Sequence, residues 1–123
     1  VDFATQYQSL VKDVFIEHVR NDLADGADAT ERAQYYIERG KPDFVLAYLL
    51  VCDLPDDEKR ESLAQSYERR ATLTEERARD FDRQFHREFP QLHTSAASDR
   101  AAARQIRAGK APRPGVGRQL PMR

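Results

Sequence analysis

Helix breakers are nearly absent before position 100. Of five glycines and six prolines, only Gly26, Gly40, Pro42, Pro55 and Pro90 fall in that stretch. A chain so rarely interrupted folds as helices if its apolar residues recur at intervals of three and four, and as strands if they alternate. Here they recur at three and four. Phe3, Tyr7, Leu10, Val14 and His18 make one stripe with Val11 and Phe15 beside it. This predicts a single amphipathic helix from Asp2 to about Leu23, ended at Gly26, with His18 partly buried. Asp28 or Thr30 can cap a second helix, which Gly40 stops after about Arg39.

Pro42 suits the first position of a third helix, where its missing N–H costs nothing. This helix, 42–53, carries the densest apolar run, Phe44 to Cys52, and is predicted to be the most buried. The run is nine residues long, against the about 20 that a membrane-spanning helix needs. Pro55 closes the helix. Asp56, Asp57 and Glu58 then place negative charge where a fourth helix would begin, at its positive dipole end. Leu63, Tyr67, Ala71, Thr74, Ala78, Phe81, Phe85 and Phe89 form its stripe and predict continuity to about Phe89. Thr72 to Glu75, with capping-box spacing, is the alternative point of interruption. Unbroken, this helix would be about 51 Å long. Ser95 to Ala108 predicts a short alanine-rich helix in which Ile106 is the one large apolar residue. From Gly109 onward the chain is a Pro/Gly/Arg tail without periodicity.

The expected fold is therefore all-α: a helical bundle or helical-hairpin array of four to five helices with an extended basic C-terminal arm. The division expected is a helical domain over 1–94 and an arm over 95–123. At 123 residues, 40 % hydrophobic and 33 % charged, the chain suits one domain with a modest core.

Its formal net charge of −1 conceals two opposed regions. From Val1 to Ser98 there are 13 basic and 20 acidic residues; from Asp99 to Arg123 there are seven basic and one acidic. The seven, Arg100, Arg104, Arg107, Lys110, Arg113, Arg118 and Arg123, are the candidate partner-binding residues. The function expected is that of a non-catalytic accessory or scaffold subunit, docking into a larger protein assembly through helical faces and the basic arm. The alternative is a small nucleic-acid-associated, ribonucleoprotein-type protein with the tail on phosphates. A protein partner is favoured because the tail has no aromatic residue for base stacking, its cations are spaced rather than clustered, and the acidic body repels nucleic acid.

No constellation points to catalysis. Cys52 stands alone, so neither an internal disulfide nor a cysteine zinc site can form, and a free thiol fits a reducing compartment. The chain opens on Val1 rather than Met, compatible with removal of a leading segment, so cytoplasm and organelle matrix are both expected addresses. Asp82 and His86 share a helix face and His93 follows Pro90, but this spacing does not itself build a metal site. Asn21 to Gly26 fails as a calcium loop, with Leu23 and Arg32 at ligand positions. There is no glycine-rich phosphate loop or nucleophile elbow. Glu75, Glu76, Asp80 and Asp82 lie among Arg77, Arg79 and Arg83, a solvated face rather than a dry pocket. From Asp43 to Leu54 no Lys, Arg, Asn or Gln occurs, so the third helix is core and not a DNA-reading element. No enzymatic activity, cofactor or metal is expected.

Ala33-Gln-Tyr-Tyr-Ile-Glu-Arg39 is echoed 31 residues later by Ala64-Gln-Ser-Tyr-Glu-Arg-Arg70, an offset in the range of helical-hairpin repeats. Ala33, Tyr36, Gly40 and Cys52 look like scattered positions of a tetratricopeptide unit. Pro55 comes two residues early, Ala71 replaces the glycine, and Glu76 and Arg83 fall where small residues should pack. The resemblance transfers no binding residue.

Overall fold

The computed structural model describes residues 2–112 and is all-helical. Six α-helices occur among the described residues: α1 (Phe3–Tyr7), α2 (Asp13–Ala24), α3 (Ala29–Glu38), α4 (Pro42–Leu49), α5 (Asp56–Phe85) and α6 (Pro90–Arg107), with a 3-10 turn at Gln8–Leu10 after α1. The count exceeds the four to five expected, and each difference has a local cause.

The predicted first helix is two. Asp2 caps α1 by accepting from the Thr5 N–H at 2.8 Å. Phe3 and Tyr7 are fully buried, the Phe3 N–H donates to Asp56 Oδ2 at 3.1 Å, and the Tyr7 hydroxyl donates to the Lys110 carbonyl at 3.0 Å. These anchors hold α1 near the start of α5 and the end of α6, whereas α2 packs on α4. The chain turns between them with extended backbone at Val11 and Lys12. Val14, on the predicted stripe, is consequently 67 % exposed. His18 is exposed as well, its ring edge-on to Phe44.

The caps of the next two helices follow the sequence. Asp28 accepts from the Glu31 N–H at 2.9 Å, and Pro42 occupies the first turn of α4. α4 supplies Val45, Leu46, Ala47, Tyr48 and Leu49 to the core, all buried. α5 runs without interruption through Thr72–Glu75 for 30 residues, about 45 Å. It stops at Phe85, four residues early, because His86 adopts a left-handed conformation (φ 55°). Pro90 then starts α6, five residues before the helix expected there.

α5 and α6 form an antiparallel pair built on small side chains. Ala64, Ala71 and Ala78 are buried at seven-residue intervals along α5, as are Ala96 and Ala103 along α6. Small residues let two helix backbones approach closely. Ile106 and Ala103 join Leu63, Ala64 and Tyr67 in the main core with α1, α3 and α4. The helix expected over 95–108 is thus present as the greater part of α6, and it packs on α5 with Ala96, Ala103 and Ile106 buried. Arg113, Arg118 and Arg123, with the remainder of the tail, lie outside the described residues.

One ion pair is buried in this seam. Arg70 Nε and Nη2 each donate to an Asp99 carboxylate oxygen at 2.8 Å, with the Asp99 side chain only 5 % exposed. Burial disfavours the Arg70 charge, but the hydrogen bonds and charge of Asp99 outweigh it and raise the guanidinium pKa. The segment holding Arg70 also abuts Gly40, which has φ +63°; a Cβ there would lie 2.8 Å from Arg70 Cα. The two echoed segments are therefore not equivalent hairpins. One turns at Gly40, the other runs straight through Ala71, and they pack on each other, Arg69 Nε donating to the Glu38 carbonyl at 2.9 Å.

Two stability predictions follow from these contacts. Gly40→Ala meets both left-handed strain and a backbone clash, and should cost at least about 2 kcal/mol in urea denaturation. Gly26→Ala, also at positive φ but with nothing near the added Cβ, should cost only the strain, about 1–2 kcal/mol. Asp99→Ala strands a part-buried guanidinium and should cost about 3–5 kcal/mol. The double change Arg70→Met with Asp99→Leu should cost clearly less than Asp99→Ala alone.

Candidate interaction surface

The candidate arm residues fall into distinct settings. Arg107 Nε and Nη2 donate to the two oxygens of Glu61 at 2.9 Å each, and Nη1 donates to Glu68 at 2.6 Å. Arg100 pairs with Glu75. His93 Nε2 lies 3.5 Å from Asp82 Oδ2. The positions involved are 61, 68, 75 and 82 on α5 against 107, 100 and 93 on α6, each series spaced by seven. A seven-residue interval returns to nearly the same helix face every two turns, so the two series form a ladder along the antiparallel pair. Arg104 and Lys110 are exposed and make no ion pair among the described residues. Arg100 and Arg107 are held against glutamates of α5, whereas Arg104, four residues from one and three from the other along α6, joins none of these pairs.

The ladder carries an electrostatic signature. Hydrogen bonds from Arg107 hold the Glu61 and Glu68 carboxyls below their ordinary value of 4.5, and Arg100 does the same to Glu75. The same contacts raise Arg107 and Arg100. Beside the ladder, a polar cleft of about 690 Å³ between α3, α5 and α6 is lined by Glu38, Gln65, Glu68, Arg69, Thr72 and Arg100. Its charged groups already have partners: Arg69 donates to the Glu38 backbone carbonyl, Glu68 accepts from Arg107, and Arg100 pairs with Glu75.

A different surface is apolar. The 3-10 turn, α2 and α4 enclose a groove of about 390 Å³ lined by Val11, Ile16, Val19, Leu23, Ala47, Leu50 and Val51, with Gln8 and Arg20 among them. Val51 is 55 % exposed. The walls are held in place from below. The Tyr48 hydroxyl donates to Asp22 Oδ2, and Arg32 Nε lies 3.1 Å from the same oxygen, tying α2, α3 and α4 together. Burial, then the bond to Asp22, pushes the Tyr48 phenol well above its ordinary value, so it stays a donor. Outside this tie Tyr36 stacks on Phe44 at 4.5 Å, and Phe44 meets Phe15 edge-on at 4.9 Å.

A second apolar cluster lies at the turn between α5 and α6. Phe81, Phe85 and Phe89 meet pairwise at 5.6–5.9 Å between ring centroids, with Phe85 51 % exposed. Arg87 lies 5.1 Å from the Phe89 ring.

Cys52 is buried, and burial raises its thiol pKa, the opposite of what a nucleophile requires. Among the described residues no group of three His, Cys, Asp or Glu side chains gathers as metal ligands, and no helix is long and apolar enough to cross a membrane. The groove was not foreseen from the sequence. Its signal is faint there, because Val11, Ile16, Val19 and Leu23 fall on the flank of the stripe that a single long helix would bury.

The ladder yields a pH prediction. A carboxyl whose folded-state pKa is depressed adds stability that is complete above about pH 4.5 and is lost as pH falls through the folded value. Arg107→Gln removes this contribution for Glu61 and Glu68. All three groups are more than a third exposed, so the loss at pH 7 should be no more than about 1 kcal/mol. The stability difference between wild type and Arg107→Gln should shrink below about pH 4.5 and in 0.5 M salt. Denaturation curves of both proteins at pH 7, at pH 3, and at pH 7 in 0.5 M salt check both effects.

Searches against family models, curated protein sequences and solved structures returned no match.

Proposed function

We propose that the protein is a non-catalytic accessory or scaffold subunit that docks into a larger protein assembly. The observation that carries this reading is the groove between α2 and α4, which keeps an apolar lining open at the surface with Val51 at its margin. An apolar cleft of this kind is what an aliphatic or aromatic anchor of a partner fills. The phenylalanine cluster at the α5–α6 turn offers a second contact of the same chemistry. Arg104, Lys110 and the cations at 113, 118 and 123 would then steer association and fix orientation rather than supply most of the affinity.

The pairing of Arg100 and Arg107 within the chain lowers the charge available for nucleic-acid phosphates, which supports a protein partner over the ribonucleoprotein alternative.

Native co-purification of the tagged full chain with mass spectrometry tests the reading. A stoichiometric complex should survive 0.5 M salt, and Val51→Asp should weaken it at least about tenfold while the chain remains folded. A lone monomer would overturn the proposal. So would recovery chiefly with RNA or DNA through binding that falls steeply with salt and is lost in Arg104→Gln with Lys110→Gln.

A further inference from the structure

We propose that the groove between α2 and α4 has an occupant within the chain, the C-terminal segment 113–123. The inference rests on reading that groove as the docking surface, and it adds a competitor for the site.

Three observations converge. The first is where α6 delivers the chain. The Gly109 carbonyl accepts from Gln6 Nε2 and the Lys110 carbonyl accepts from the Tyr7 hydroxyl, so the chain leaves α6 against α1. The next residue after Tyr7 is Gln8, which lines the groove. Val116 is six positions beyond Lys110, enough for about 20 Å of extended chain.

The second is side-chain chemistry. Segment 113–123 contains Val116, Leu120 and Met122. These are aliphatic anchors of the size that the lining of Ile16, Leu23, Leu50 and Val51 accepts. Pro112, Pro114 and Pro121 restrict the unbound chain and reduce the entropy lost on ordering it.

The third is charge. The stretches that form the groove, Gln8 to Ala24 and Pro42 to Leu54, contain five acidic and two basic residues. Segment 113–123 contains three arginines and no acidic residue. Two of the five acids are already paired, Asp22 with Arg32 and Glu17 with Arg20, the one charged residue of the lining; Asp13, Asp43 and Asp53 against Lys12 leave the flanking stretches net acidic. A segment with aliphatic anchors between arginines therefore complements both the lining and the surroundings of the groove. An assembly partner would have to displace it.

Paramagnetic broadening in the isolated full chain tests this. A nitroxide is placed at position 119 through Gln119→Cys in a Cys52→Ser background, which keeps all three anchors. Methyl signals of Val11, Ile16, Leu23, Leu50 and Val51 should broaden at least threefold more than those of Leu63 and Ile106. With Cys52 retained, a chain ending at Pro112 should shift the same groove methyls. Absence of selective broadening would overturn the proposal, as would broadening that arises only between spin-labelled and isotope-labelled copies in a mixture, which assigns the groove to a second copy. Because no partner is present, these outcomes are read separately from the co-purification experiment. Failure here leaves the docking reading standing, and failure there leaves this contact intact.

Discussion

The register of α5 against α6 is the constraint on which the rest of the structure depends. Alanines at seven-residue intervals bring the two helices together, but an alanine seam alone specifies register poorly, because a slipped alanine meets another small side chain. The polar groups supply the missing specificity. Sliding α6 by one turn would separate Arg70 from Asp99 within the seam and leave part-buried charges uncompensated, a cost of several kcal/mol. The ladder of Glu61, Glu68, Glu75 and Asp82 against Arg107, Arg100 and His93 adds only modest energy per exposed pair. All its members nevertheless favour the same alignment, and a slip by one turn breaks them together.

That alignment decides what happens at both ends of the pair. It brings Gly109 and Lys110 to Gln6 and Tyr7, while the first turn of α5 accepts the Phe3 N–H on Asp56. α1 is therefore held by the pair rather than by α2. With α1 fixed there, the chain must break at Val11 and Lys12 for α2 to reach α4. The groove exists because of this break. A continuous first helix would have kept residues 8–11 on the helical path instead of turning them into a groove wall.

Much of this was legible locally. Asp28, Gly40 and Pro42 mark helix ends through their own backbone chemistry: α3 begins and stops, and α4 begins, where those residues require, although α4 ends at Leu49, short of the expected 53. The absence of Gly and Pro between Pro55 and Pro90 was likewise enough to keep α5 whole through Thr72–Glu75. Two features were hidden for physical reasons. Periodicity within 2–23 cannot reveal that Phe3 and Tyr7 are pinned to elements more than fifty residues away, and tertiary anchoring overrides a helical pattern. The packing of α6 was hidden because burial is usually sought among large apolar residues, whereas this seam buries alanine. Its signal lies in phase rather than size: acids at 61, 68, 75 and 82 and donor side chains at 93, 100 and 107 share one interval, which no regional sum of charge can display.

This phase relation also alters the meaning of the charge segregation. A region with 20 acidic residues followed by one with seven basic residues invites a search for an external polyanion. Part of the segregation has a nearer explanation, since Arg100 and Arg107 are held by glutamates of the same chain. An electrostatic partner outside the chain would have to compete with contacts already formed, and at 0.15 M salt the field of the remaining exposed cations fades within about 8 Å. Apolar contact is not screened in this way. For the partner we propose, the best-suited surface is thus the groove whose walls are set by the Tyr48–Asp22–Arg32 tie, with charge acting on approach and alignment.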